Sequence, residues 1–298
     1  MRYMQLLYRK MLYKFVRGLG NRYDITAINT IGREGKFFRV KASVIEKLLN
    51  GFKLNVIDIG ARGGIEGGLK NYNHLLSITL VEPDKEAIFK KTNGINVIRK
   101  LIGEKNGKSK LNICKKGGVS SILDPNGPFL DYYTSGDASR FDVINKISFP
   151  MTTINSIIKE TYNGELLDYL KLDTQGTELN ILMGLGTIRP IIIKTEISFV
   201  PIYKNQTIFF HLGKVLYDMG YIMFHLSYGS KSAPLKHKKN KPYDETVVPL
   251  HGDAHFMPDW TRSLGKKIIK GRENQYEALM LMFGMKEIYK YSQRKTNG

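Results

Sequence analysis

Short runs of aliphatic and β-branched residues, mostly separated by helical patterns, constrain this chain more than any other feature. Leu54–Ile59, Ile78–Glu82, Ile95–Ile102, Asp168–Asp173, Ile191–Ile197 and Tyr221–Leu226 read as strands, with Ala254–Met257 as a short last one. Their lack of apolar–polar alternation is that of strands covered on both faces. Helical patterns follow at Pro83-Asp84, with Ala87 and Ile88 inward, and at Thr153–Glu160, Gly176–Leu185 and Phe209–Met219, the last closed by Gly220. Repeated strand–helix units of this kind predict a mostly parallel α/β sheet of seven strands. Helices cover both faces, crossovers are right-handed and ligands bind at the carboxyl ends of the strands. Residues 103–118 read as a hairpin turning at Asn106-Gly107, and the Pro/Gly/Asp-rich stretch 124–140 as a long loop of the functional or mobile kind.

The chain has 298 residues with enough apolar content for a sizeable core, and a formal net charge of +19. One cysteine, Cys114, excludes a disulfide framework and multi-thiolate metal sites. No apolar run approaches the ~18 residues of a membrane span, and the start does not read as a signal peptide, so a cytoplasmic protein is expected. The charge is unevenly spread: residues 1–50 carry +8 and 229–298 carry +7, which leaves +4 for 51–228. Three parts follow: a basic lead-in over 1–50, a central domain over 51–258 that is nearly charge-balanced up to residue 228, and a basic, helical C-terminal extension over 259–298. Within the first, residues 4–16 have the spacing of an amphipathic helix with a basic face. Such a helix packs on its own domain or rests on the inner face of an anionic membrane. Basic flanks also attract nucleic acid, although no RNA-binding module is recognisable. The oligomeric state is not legible.

The first strand ends in Asp58-Ile-Gly-Ala-Arg-Gly-Gly64. Glycines at 60, 63 and 64 suit close ligand approach, yet neither G-x-G-x-x-G nor a G-x-x-x-x-G-K-[ST] phosphate loop is present. Asp58 would repel a pyrophosphate but tolerate a zwitterionic sulfonium. Glu82 ends the second strand, where a carboxylate can accept both ribose hydroxyls of an adenosyl group. Together they favour S-adenosylmethionine over a dinucleotide. Asp173, Glu196, Asp253 and His255 lie at strand ends as candidate bases for an acceptor hydroxyl. Asp173, Asp253 and His255 could instead hold a divalent cation, the less favoured arrangement. His74, His211, His225, His237 and His251 carry no pattern, and Glu178 is accounted for by the helix dipole.

These motifs resemble the FkbM-type S-adenosylmethionine-dependent methyltransferases. The resemblance rests on Asp58–Gly64, Glu82-Pro83, Leu170-Lys-Leu-Asp-Thr-Gln-Gly-Thr-Glu178, Lys194-Thr-Glu196, Tyr203–Gln206 and Asp253-Ala-His-Phe256, with Ser120-Ser121 as a serine pair after the hairpin. Arg62 stands where the family usually has Asn. The resemblance implies a Rossmann-like class I methyltransferase sheet. It implies Asp58, Gly60, Ala61, Gly64, Glu82 and Ser121 as cofactor-binding residues, and Asp173, Glu196 and His255 as catalytic ones. It implies O-methylation of a sugar, glycan or other secondary metabolite. A nucleic-acid methyltransferase is the first alternative, and a non-catalytic binding protein that keeps the fold the second.

Overall fold

The structure is a computed structural model and describes residues 37–85, 95–133, 138–164, 166–231 and 249–285. The expected helix over 4–16, the inward Ala87 and Ile88, most of the Lys-rich loop after 231 and the end of the C-terminal tail lie outside the described residues.

The elements in chain order are α1 (Ala42–Leu49), β1 (Leu54–Ile59), a 3₁₀ segment (Gly67–Leu75), β2 (Leu76–Val81), β3 (Ile95–Ile98), β4 (Leu101–Ile102) and β5 (Gly107–Cys114). Next come α2 (Gly127–Tyr133), β6 (Val143–Thr152), α3 (Ile154–Thr161), β7 (Tyr169–Leu172), α4 (Glu178–Met183) and β8 (Ile192–Ser198). The chain continues with α5 (Phe209–Asp218), β9 (Tyr221–Lys231), β10 (Pro249–Pro258), α6 (Ser263–Ile269) and α7 (Glu273–Met282). Seven strands form one sheet in the order β3-β2-β1-β7-β8-β10-β9. The first five are parallel and β10 runs antiparallel to both β8 and β9. This is the expected Rossmann-like α/β sheet. The order reverses between β1 and β7, the switch point at which such sheets bind ligands.

Two cores cover the sheet. Ile154, Ile157 and Ile158 of α3, Ile181 and Leu182 of α4, and Leu212 and Leu216 of α5 pack on one side. Ile45 and Leu49 of α1, Tyr72 of the 3₁₀ segment and Leu279 and Met282 of α7 pack on the other. The described parts of both flanks therefore share the core of the central residues. Arg272, just before α7, is 5% exposed and donates through Nη2 to Asp168 Oδ1 at 2.7 Å, while Asp168 Oδ2 accepts from Asn55 N at 2.8 Å. A buried cation with a buried anion ties the C-terminal segment to the base of β7.

The expected 103–118 hairpin is not formed. Gly107–Cys114 pairs antiparallel with Val143–Thr152, and β4 pairs parallel with the same strand, so β4-β6-β5 make a second, small sheet. The expected 124–140 loop contains α2, and its Leu130 clusters with Phe141, Ile202, Tyr203 and Leu250 in a third apolar group. The last two strands run 11 and 10 residues, longer than expected, because each satisfies the other's backbone.

One register row of the main sheet carries Asp58, Lys171, Lys194, His255 and His225 on five neighbouring strands. Lys171 Nζ donates to Asp58 Oδ1 at 2.8 Å, and Lys194 Nζ to Glu66 Oε1 at 2.7 Å. The buried Lys194 and the half-buried Lys171 beside it are thus each matched by a carboxylate.

Candidate active site

A cleft of about 620 Å³ opens at the carboxyl ends of β1, β2 and β7, where the small sheet leans over the large one. The turn after β1 supplies Gly60, Ala61, Arg62 and Gly64, and the end of β2 supplies Glu82. Lys171, Asp173, Gln175 and Glu196 lie at the other end, and Ile102, Leu111, Ile113 and Ile122 make an apolar wall. Gly60 has φ +79°, and a Cβ there would lie 1.8 Å from the Asp173 carbonyl oxygen. This glycine therefore serves the close approach of β1 to the chain after β7.

Glu82 is 6% exposed and accepts the Asp84 backbone N–H at 2.9 Å through Oε1. Burial pushes its carboxyl above the usual range. Arg62 pairs with Asp84, and its guanidinium lies where a Cβ on Gly117 would stand. The arginine found where Asn is usual therefore spans the cleft from the glycine turn to residue 117. An acid at the second strand's end, an apolar wall and a charged far end fit the ribose, adenine and methionine parts of S-adenosylmethionine.

Two expected cofactor ligands lie off the cleft wall. Asp58 is 3% exposed and does not line the cleft; it pairs with Lys171, which does. Burial, opposed by Lys171, holds the Asp58 carboxyl up to about 6. Its Oδ2 is buried without a hydrogen-bond partner among the described residues. Ser121 is 1% exposed and donates to the Gln175 carbonyl oxygen at 2.7 Å, which pins the following turn. The preceding serine, Ser120, faces the cleft.

Asp173 and Glu196 meet through a residue that sequence reasoning did not single out. Gln175 Nε2 donates to Asp173 Oδ1 at 2.9 Å and to Glu196 Oε2 at 2.7 Å. Gln175 holds φ at 60°, a left-handed backbone uncommon outside glycine. Gly176 follows at φ 106°, and Glu178 stabilises the turn by accepting from the backbone N–H of Thr174 and Gly176. His251 reaches the other face of the acid, with Nδ1 3.3 Å from Glu196 Oε1. Burial pushes the Glu196 carboxyl up to about 7, with Asp173 adding to the rise and the His251 bond opposing it. The Glu196 bond in turn raises His251.

A smaller chamber of about 210 Å³ adjoins the cleft and shares Gly118, Gln175 and Glu196 with it. Phe129, Phe141, Ile202, Tyr203, Gln206 and His251 are among its walls. Asp173 faces the first space only, whereas Glu196 faces both.

His255, expected among the catalytic residues, is not brought to the site. It pairs with Lys194, two residues before Glu196 along β8, so it lies a layer deeper. It is 0% exposed, ringed by Phe37, Phe224, Phe283 and His225 at centroid distances of 5.2–5.8 Å. Burial, with Lys194 and His225 nearby, lowers its pKa well below the usual value. Asp253 lies 3.8 Å from the Lys194 ammonium. Among the described residues no group of three or more His, Cys, Asp or Glu converges as for a metal ion, so Asp173, Asp253 and His255 do not form the donor set considered from sequence. Among them, too, no helix is long and apolar enough to cross a membrane.

Residues 58–223 match the family described as the methyltransferase FkbM domain. Among solved structures, the chain is similar to a candidate RNA methyltransferase from Pyrococcus horikoshii, with 12% identity over 74% of this chain and 86% of that one and a TM-score of 0.30. It is also similar to an S-adenosylmethionine-dependent methyltransferase from Agrobacterium tumefaciens, with 12% identity over 74% and 62% and a TM-score of 0.33. No curated protein matches the chain.

Proposed function

The chain belongs to the FkbM methyltransferase family and is an S-adenosylmethionine-dependent methyltransferase, and from that premise we propose that it methylates a hydroxyl of a sugar, glycan or other secondary metabolite held in the smaller chamber, with Glu196 as the base. The observation that carries this reading is the place of Glu196, the one acid that faces both the cleft and the chamber among the described residues.

S-adenosylmethionine, when bound, supplies an electrophilic methyl group on a sulfonium. Glu82 would hold the ribose hydroxyls and Gly60, Ala61 and Gly64 would allow the close approach of the adenosyl group. Lys171, oriented by Asp58, would face the methionine carboxylate. In-line displacement depends mostly on positioning, and a hydroxyl acceptor loses its proton as the new bond forms. Glu196 takes that proton. A carboxyl held up to about 7 stays partly ionised near neutral pH and is a stronger base than an ordinary carboxylate, which suits proton removal as the new bond forms. Gln175 fixes the carboxylate through Oε2 and His251 fixes it through Oε1. Asp173 keeps the Gln175 amide in place and adds negative charge beside the base. His255 has no part in this reading.

The test is methyl transfer from labelled S-adenosylmethionine to a panel of sugars, oligosaccharides and purified RNA, with the labelled atom located in the product. Label on an oxygen of a small acceptor, lost in Glu196→Gln, supports the reading. Label found only in RNA, or on nitrogen, overturns it.

A further inference from the structure

The smaller chamber has a charged rim opposite its base. Lys116 N–H donates to the Arg140 carbonyl oxygen at 3.1 Å, and Lys115 N–H to the Asp142 carbonyl at 2.9 Å. This pairing sets Lys116 and Arg140 side by side, and both line the chamber. The Arg140 guanidinium lies over the Phe141 ring, with Cζ 5.0 Å from the centroid, and Phe141 packs edge-on against Tyr203 at 5.9 Å. The cation is therefore held by stacking on a ring that belongs to the chamber wall. Arg140 Nε is buried with no hydrogen-bond partner among the described residues, and among them no carboxylate pairs with Arg140 or Lys116. Its charge reaches inward, opposing the raised proton affinity of both His251 and Tyr203. A half-buried guanidinium with no carboxylate partner among the described residues, lining a chamber, is available to an anionic ligand.

We propose that the acceptor carries an anionic group, a carboxylate or a phosphate, a few bonds from its reacting hydroxyl, and that Arg140 binds this group with Lys116 at the rim. Arg140 offers a planar fork that matches either anion, and Lys116 adds a point charge. The hydroxyl end then lies at Glu196, where an anion would be repelled. Phe129 and Phe141 cover the C–H face of the part between. The chemistry fits an acidic sugar or a sugar phosphate. The position of the hydroxyl rests on the O-methylation reading; the anion site does not.

The experiment uses the full chain saturated with S-adenosylhomocysteine, so that the cleft is filled. Inorganic phosphate and acetate are titrated separately while the His251 ring resonances are followed by NMR, and D-glucuronate, D-glucose 6-phosphate and D-glucose are titrated by calorimetry. We expect one or both anions to shift His251. We expect the matching charged sugar to bind at least about tenfold tighter than glucose. Arg140→Gln should abolish the shift and the preference while S-adenosylhomocysteine affinity stays unchanged, and Arg140→Lys should restore part of both. Phosphate and acetate distinguish the two kinds of anion. No shift with either anion, a shift that survives Arg140→Gln, or glucose binding as tightly as both charged sugars overturns the proposal. Methylation of a neutral hydroxyl without anion binding overturns this proposal alone. Arg140-dependent anion binding with methyl transfer to nitrogen overturns the O-methylation reading alone.

Discussion

The side-chain amide of Gln175 donates to the Glu196 carboxylate at 2.7 Å, on the boundary between the cleft and the smaller chamber. The bond fixes one oxygen of the acid and leaves the geometry of the other to His251. Glu196→Gln keeps the shape and removes the charge. Single-turnover methyl transfer should fall by about 10²–10⁴-fold, the scale of a lost general base, while calorimetric affinity for S-adenosylhomocysteine changes little. Transfer at the parent rate would exclude Glu196 as the base and leave Asp173, which shares the Gln175 amide, as the candidate.

Activity should rise with pH through an apparent midpoint near 7, because Glu196 must be ionised to accept a proton and burial holds its carboxyl up to about 7. The His251 bond lowers the pKa of that carboxyl, so its loss in His251→Asn should move the rising limb to higher pH. The midpoint belongs to the Glu196–His251 pair rather than to either residue. A pH–rate profile of both proteins reads the shift, and an unmoved limb would separate His251 from the base.

Glu82→Ala should weaken S-adenosylhomocysteine binding by about 1–3 kcal/mol through lost ribose hydrogen bonds. Calorimetry measures it directly. Ser121→Ala makes an informative contrast: its hydroxyl is spent on the Gln175 carbonyl, so turnover should suffer more than cofactor affinity.

Arg272→Leu should destabilise the fold by about 3–5 kcal/mol, the cost of leaving a buried partner uncompensated. Asp168 would keep its bond to Asn55 N–H but lose its ion pair with the guanidinium. Urea unfolding followed by circular dichroism tests this, and a loss below about 1 kcal/mol would show that water replaces the guanidinium.

The main sheet was legible because its strands are covered on both faces and read as continuous apolar runs, of which Ile191–Ile197 is the clearest. The small sheet was not. Gly107–Cys114 alternates as one arm of a hairpin would, but its partner begins at Val143, and nothing local announces a pairing across so long an interval. Glu82 and Glu196, which both line the cleft, are legible as candidates from their places at strand ends. Gln175 was passed over because an uncharged amide gives no electrostatic signal. His251 was set aside for want of a motif, and only the pairing of His251 with Ser198 brings it beside Glu196. His255 misled for the converse reason: it lies within the same strand, but register sets it two residues further down β8.

The row of ionisable side chains across five strands makes the sheet interior selective about protons. Lys171 and Lys194 already occupy its middle, so a positive charge on the neighbouring His255, buried beside Lys194 and His225, would add a third cation to the row. The folded chain therefore refuses a proton that the unfolded chain accepts near pH 6.5. Stability is whole above that value and drains away as pH falls below it. Replacing His255 by Phe, a ring of similar shape among Phe37, Phe224 and Phe283, should remove that part of the loss. A chain that is basic overall thus carries an acid limit written into its centre.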